Sequence, residues 1–310
     1  MEYRAEEDCM RITIAGYGEM GRSFEHVLSD RADIQVWDRD LETGRETMPL
    51  EEAVASANGV ILAVPAAPIE EIAQRVASVL PGNAVVFTIA KGVTAEARHP
   101  LEILHEQLGR SQVAGIYGPM IGEELMAGKP GFADVAVFAD SAWQFAHDLF
   151  GGTALHLTRA ADPWTAAWSA VAKNIYVPLL GAVDALEMGD NLRGGLFAAV
   201  LAEMRELALE LGATGHSLQG LSGVGDLFTT AVSPGSHHHT AGRALAMGDN
   251  SSVGTSGPNV RGEGFHTLAV LRQRIDLPAA AFPLFALAEA LVESPAAFRQ
   301  ALEQWLRDHA

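Results

Sequence analysis

Through the first half of the chain, unbroken apolar runs alternate with stretches whose apolar residues recur every three or four positions. Ile12, Ile14 and Ala15, then residues 34–37, 59–65, 84–90, 113–117 and 134–139, read as strands. The run Gly59-Val-Ile-Leu-Ala-Val-Pro65 shows no polar alternation, as expected of a parallel strand covered on both faces. Between these runs, 22–28, 50–56, 69–80 and 101–108 have helical spacing. Ile69, Ile72, Ala73, Val76, Val79 and Leu80, for example, share one face. Strands alternating with helices predict an α/β fold built on a doubly wound parallel sheet. From Asp162 the pattern changes. Asp162-Pro163 supplies an N-cap followed by proline at the first helical position. Helical stretches follow near 163–187, 192–211, 240–248, 264–275, 282–292 and 295–308, with no further strand. The expected organisation is an α/β domain over 1–161 and an all-helical domain over 162–310. Residues 39–47 read as a polar segment and 251–258 as a Gly/Ser loop.

The first strand runs into Gly16-x-Gly18-x-x-Gly21, and a helix follows. Gly16 permits a tight turn, Gly18 lets a pyrophosphate approach the backbone, and Gly21 lets the helix pack closely on the strand. The helix N-terminus offers free N–H groups and a positive dipole end to phosphates. Among 31 glycines this spacing alone would say little, but strand, glycines and helix occur in the required order. The second strand ends in Asp38, 22 residues beyond Gly16, near the spacing at which a carboxylate meets the adenosine ribose. These features predict dinucleotide binding by Gly16, Tyr17, Gly18, Glu19, Met20, Gly21 and Asp38. A carboxylate at Asp38 would repel a 2′-phosphate, so NAD is the expected cofactor. NADP is the second candidate, because Arg39 could turn toward such a phosphate. Pro65, Lys91 and Gly118 each fall just past a strand end, on the edge where cofactors bind in open α/β sheets.

Composition narrows the partners. The 310 residues carry a formal net charge of −18, which works against nucleic acid or an anionic membrane. An anionic substrate would need a locally positive pocket. No apolar run is long enough to cross a bilayer, and the acidic first ten residues do not read as a signal peptide. A single cysteine, Cys9, fits a reducing, cytoplasmic setting. Of 21 basic residues only Lys91, Lys129 and Lys173 are lysine, leaving 18 arginines. Lysine can give up a proton once desolvated, whereas arginine cannot, so a retained lysine marks a position for proton chemistry.

The second half carries Lys173-Asn174, Gly189-Asp190-Asn191, Leu201-Ala202-Glu203-Met204 and Gly223-Val-Gly-Asp226-Leu. With Leu62–Pro65, Lys91-Gly92, Gly118-Pro119, Glu124, Ala127-Gly128, Pro130 and Glu263-Gly264…Thr267, this ordered set resembles the bacterial NAD(P)-dependent glycerol-3-phosphate dehydrogenases. The resemblance implies a Rossmann domain followed by a helical domain, acting on sn-glycerol 3-phosphate and dihydroxyacetone phosphate. It places the family's catalytic lysine on Lys173 and its second active-site lysine on Lys91. Lys173 would supply the proton, Lys91 and Asn174 would orient the substrate, and Asp226 would tune the lysine or hold a hydroxyl. Read without the resemblance, Asp226 could equally be an N-cap for the helix starting at Leu227. Gly122 and Glu263 complete the expected cofactor contacts. Gly118, Thr230, Ser236, His237 and His238 complete the expected substrate contacts. A homodimer and a small anionic substrate are expected.

The departures are specific. The family's phosphate-holding Arg-Asn pair falls on His237 and His238, its "TRG" arginine on Ala199, and its aromatic in the glycine loop on Met20. A neutral imidazole is a weaker phosphate partner than a guanidinium. The triple histidine His237-His238-His239 is not expected to bind metal, since adjacent side chains cannot readily converge on one ion. Two other readings stand beside this one. Gly16–Gly21 and Val36–Asp40 also resemble prephenate or arogenate dehydrogenases, and a dinucleotide-binding sensor without catalysis would share the first domain.

Overall fold

Seven strands form one sheet in the order β2-β1-β3-β4-β5-β6-β7. The protein is seen here as a computed structural model, which describes residues 10–40, 48–109, 112–216, 218–251 and 263–308. Most of the polar segment expected at 39–47, and most of the Gly/Ser loop expected at 251–258, lie outside the described residues. Strand β1 (Met10–Ala15) leads to α1 (Glu19–Leu28), β2 (Ala32–Trp37), α2 (Leu50–Val54), β3 (Gly59–Leu62) and α3 (Ile69–Val76). Then come β4 (Val85–Thr88), α4 (Pro100–Leu108), β5 (Val113–Tyr117), α5 (Gly122–Met126), β6 (Gly131–Val137), α6 (Asp140–Phe150) and β7 (Leu155–Arg159). Every residue of β3, β4 and β5 is buried, which is why their sequences are apolar without alternation.

The sheet is parallel except at one step, where β6 runs antiparallel to β5. A wholly parallel sheet was the expectation, so this is a correction of detail. The connection from β5 to β6 carries only the five-residue α5, and the chain returns beside β5 in the opposite direction. Helix α6 and edge strand β7 were not anticipated. β7 buries only Leu155 fully, so it lacks the apolar run that marked the others.

The second half is helical, as its periodicity predicts. It contains α7 (Pro163–Ala185), α8 (Asp190–Glu210), a π-helical turn (Leu221–Gly225), α9 (Asp226–Val232) and α10 (His237–Ala246). The chain ends in α11 (Glu263–Arg274), α12 (Pro283–Glu293) and α13 (Pro295–Asp308). Helix α7 is buried on all sides from Thr165 to Val183, as its apolar circumference requires. It tolerates Pro178 because α10 packs against the same turn: a Cβ on Gly242 would lie 1.9 Å from the Pro178 carbonyl oxygen. Tyr176, Leu180, Leu196, Met204, Phe285 and Phe298 form the core of this half.

By its contacts the chain divides into two compact units. One contains residues up to Ala90 and from Pro100 to Pro163; the other contains Lys91–His99 and everything from Trp164. The short segment after β4 thus belongs with the helices. Val93 joins Trp168, Val171 and Ala208 in a buried cluster of the helical unit.

Candidate active site

In the α/β unit the glycine loop has the geometry its spacing implies. Gly16 has φ +98°, and a Cβ there would lie 2.5 Å from the Ala63 carbonyl oxygen. A Cβ on Gly21 would come within 2.1 Å of the Gly16 oxygen, so the helix can approach the strand only through glycine. Gly18 is different. Nothing lies within 4 Å of where its Cβ would be, so the absent side chain leaves open space at the N-terminus of α1. No side chain caps α1, so its first N–H groups are available to an anion. An open cradle at Gly18 under an uncapped helix end fits the pyrophosphate of a dinucleotide.

Asp38 stands at the end of β2 and already accepts two backbone hydrogen bonds, from Tyr17 N at 2.6 Å and Asp40 N at 3.0 Å. It therefore fixes the loop, and its remaining lone pairs can still take ribose hydroxyls. The Tyr17 hydroxyl donates to Glu25. Glu19 turns its side chain over Gly122, where a Cβ would meet Glu19 Oε1 at 2.6 Å. Of Glu19, only the backbone N–H can serve a phosphate. Met20 packs against the core of this unit. Pro65 lies half-buried beyond β3. Gly118 has a packing reason of its own: a Cβ would sit 2.5 Å from the Phe132 carbonyl oxygen on β6.

The helical unit gathers the ionisable residues. Lys173, on α7 and 5% exposed, places Nζ 3.0 Å from Asp226 Oδ1 and 2.7 Å from Thr230 Oγ1. Lys91 reaches the other oxygen of the same carboxylate, Nζ to Oδ2 at 2.8 Å. The Thr230 hydroxyl accepts from Lys173 and donates to the Asp226 carbonyl oxygen at 2.7 Å, one helical turn back. Asp226 is the first residue of α9, where the cap position is taken by Gly225. Its carboxylate bridges two lysines, and the helix cap falls on Gly225 instead of on this residue.

Asn174 donates from Nδ2 to the Lys91 carbonyl oxygen at 3.2 Å. Its Oδ1 is buried and has no hydrogen-bond partner among the described residues. Gly264 lies against the Asn174 backbone, and Glu263 fills the space left by the missing side chain of Gly92. Glu263, expected at the cofactor, is thus packed beside the lysine cluster.

The electrostatics follow from burial. Desolvation, opposed by the charge of Asp226 and of Glu263 and assisted by that of Lys91, brings the Lys173 ammonium down to about 8. Burial works to raise the Asp226 carboxyl, but the two lysines hold it below the usual carboxylate range. His238 is buried, and burial together with the charges of Lys173, His237 and Lys91 pushes its imidazole down to about 3. It is neutral near pH 7.

The three consecutive histidines occupy three settings. His237 is exposed at the start of α10, His238 is buried near the lysines, and His239 Nε2 meets Asp184 Oδ2 at 2.9 Å. Ser236 caps α10, its Oγ accepting from His239 N at 3.2 Å. Among the described residues no group of three His, Cys, Asp or Glu is placed to hold a metal ion. The His239–Asp184 pair escaped the sequence reading, since nothing in the spacing of 55 residues signals it. The role of Glu203, named there only within a motif, escaped it too. This buried carboxylate accepts from Leu284 N at 2.8 Å and Phe285 N at 2.6 Å, capping α12 from a neighbouring helix.

The sequence models of one family match both units: "NAD-dependent glycerol-3-phosphate dehydrogenase N-terminus" over residues 42–142 and "C-terminus" over 162–303. The first match begins beyond the glycine loop. A glycerol-3-phosphate dehydrogenase [NAD(P)+] of Teredinibacter turnerae is 28% identical over 291 residues, covering 86% of each chain. The enzyme of that name from Acinetobacter baumannii is 26% identical, covering 86% of this chain and 81% of its own. In fold, the chain is similar to glycerol-3-phosphate dehydrogenase from Coxiella burnetii, with a TM-score of 0.81 at 20% identity over 96% of this chain and 99% of that one. With both family halves matched in order, and with an open dinucleotide cradle and a buried lysine–carboxylate cluster in place, the chain belongs to the NAD-dependent glycerol-3-phosphate dehydrogenase family.

Proposed function

We propose that this protein interconverts dihydroxyacetone phosphate and sn-glycerol 3-phosphate, with Lys173 as the proton donor in reduction and acceptor in oxidation. The observation that carries the reading is the Lys173 ammonium: buried, held by Asp226 and Thr230, and brought to about 8. Such a group can be protonated near neutrality and still give up its proton. Gly16, Gly18, Gly21 and Asp38 would hold a nicotinamide cofactor, which would supply or take the hydride at the substrate's central carbon. Lys173 gives Nζ–H to the carbonyl oxygen as negative charge develops there. Asp226 stays ionised and keeps the neutral amine in place for reprotonation. Lys91, paired with Asp226, offsets the charge of the substrate. Asn174 holds the Lys91 backbone and offers its Oδ1 to a substrate hydroxyl.

Tail recognition falls to Ser236, His237 and His238. With His238 neutral, its contribution is hydrogen bonding and not charge. Asp38 favours NAD over NADP. A cytoplasmic homodimer completes the reading. The compartment is supported by a single cysteine and the dimer by the exposed apolar side chains of Phe228 and Val232. Size-exclusion chromatography with light scattering checks the dimer.

The test is direct. Purified protein should oxidise NADH when dihydroxyacetone phosphate is added and reduce NAD when glycerol 3-phosphate is added. Tight NADH binding with no turnover of either compound would overturn the proposal in favour of a cofactor-binding sensor.

A further inference from the structure

We infer that the His239–Asp184 contact, braced by Arg193, is a positioning device that sets His238 relative to Lys173. The inference rests on the reading of His238 as a contact for the substrate's tail. Asp184 lies in the last turn of α7, facing the negative end of its own helix dipole. His239 lies in the first turn of α10, an equally unfavourable place for any positive charge. Each residue breaks a local rule, and the gain is the contact between them, Nε2 to Oδ2 at 2.9 Å. A carboxylate only accepts, so Nε2 carries the proton. The side chains are 14% and 20% exposed, so the contact is largely shielded from water. Asp184 Oδ1 also accepts from Arg193 Nη1 at 3.2 Å, which ties α8 to the same point.

The surrounding backbone shows why a lock is needed. Helices α7 and α10 touch through glycine, since a Cβ on Gly181 would lie 2.1 Å from the His239 carbonyl oxygen. This close approach, with that of Gly242 to Pro178, sets the distance between the helices, and the polar contact adds a directional restraint. Lys173 lies on α7 and His238 on α10, adjacent to His239 in sequence. A turn of α10 about its axis would swing the His238 ring relative to the lysine. Among the described residues no hydrogen bond holds the His238 ring nitrogens, so its direction comes from the backbone beneath it. The Ser236 cap fixes one side of that backbone and the His239–Asp184 contact fixes the other.

The experiment measures steady-state kinetics of the full chain with dihydroxyacetone phosphate and NADH, alongside crystal structures. His239→Ala should raise KM for dihydroxyacetone phosphate about tenfold, the scale of one lost hydrogen bond to a charged group. It should leave kcat and the KM for NADH within about twofold. His239→Gln, which keeps a donor for Asp184, should restore most of the loss. In a His238→Ala background the His239→Ala change should add almost nothing, because there is no ring left to position. Crystal structures should show the His238 ring displaced in His239→Ala. An unmoved ring, an unchanged KM, or an equal penalty in both backgrounds would overturn the inference and leave the contact as a helix brace. If the wild type fails to reduce dihydroxyacetone phosphate while the ring still moves, the reaction reading falls and the positioning device stands.

Discussion

The glycine loop of the α/β unit and the lysine cluster of the helical unit reach their geometry by opposite routes. The loop is local: it spans the end of one strand and the first turn of one helix, with Gly16 and Gly21 required by atoms that would otherwise collide and Gly18 leaving open space. The cluster is assembled from residues 91, 173, 226, 230 and 238, on four separate segments, and is held by ion pairs in a buried setting. Steric rules built the first and electrostatics the second. A side chain added to the loop therefore acts through shape, whereas an exchange in the cluster acts through charge and proton affinity. That distinction orders the expected effects of substitution.

The largest effect belongs to the cluster. Lys173→Arg keeps the positive charge but not a proton that can be given up, so kcat should fall by ~10²–10⁴-fold while NADH binding is unchanged. Retention of more than half the activity would make Lys173 an electrostatic residue only, and the contrast with the loop would lose its basis. Next comes Gly21→Ala in the loop, whose Cβ would meet the Gly16 oxygen at 2.1 Å. Helix α1 must shift to admit it, and NADH affinity should fall by roughly a hundredfold, a loss of about 2.8 kcal/mol of binding. Fluorescence titration with NADH measures this.

Gly18→Ala sharpens the comparison, because the new methyl has no protein neighbour within 4 Å. Thermal stability should be unchanged and NADH affinity should fall by about tenfold, the methyl occupying space the pyrophosphate needs. A drop in Tm without a loss of affinity would place the cofactor elsewhere. The smallest effect concerns cofactor choice. Asp38 should give NADH a kcat/KM advantage over NADPH on the order of tenfold, through repulsion of the 2′-phosphate. Equal values would mean that Arg39 outweighs it.

The same contrast explains what the sequence could disclose. The loop was legible residue by residue, since Gly16, Gly18, Gly21 and Asp38 sit at spacings set by backbone geometry. Lys91 and Lys173 stood out as rare lysines among arginines and through the family motifs they fall in. Their convergence on Asp226 depends on the segment Lys91–His99 joining the helical unit, a long-range contact that no periodicity encodes. Asp226 looked as much like a helix cap as a charge partner until its carboxylate was seen between two ammonium groups. The antiparallel β6 was hidden for another reason: a buried strand has the same apolar pattern in either direction. The apolar spacing started the helix near residue 240, whereas His238 lies within α10, and its burial, which makes it neutral and changes what it can offer a phosphate, had no signal in the sequence.

The central claim is that a buried lysine supplies the proton, and the pH dependence of kcat for dihydroxyacetone phosphate reduction tests it most directly. Lys173 must be protonated to act in this direction, and burial brings it from 10.5 to about 8. At saturating NADH, kcat should be level below neutrality and decline above about 8 with unit slope, tenfold for each pH unit. Oxidation of glycerol 3-phosphate, which needs the neutral amine, should show the opposite limb, rising through the same region. A reduction profile that stays level to pH ~10, the range of an ordinary lysine, would contradict the account.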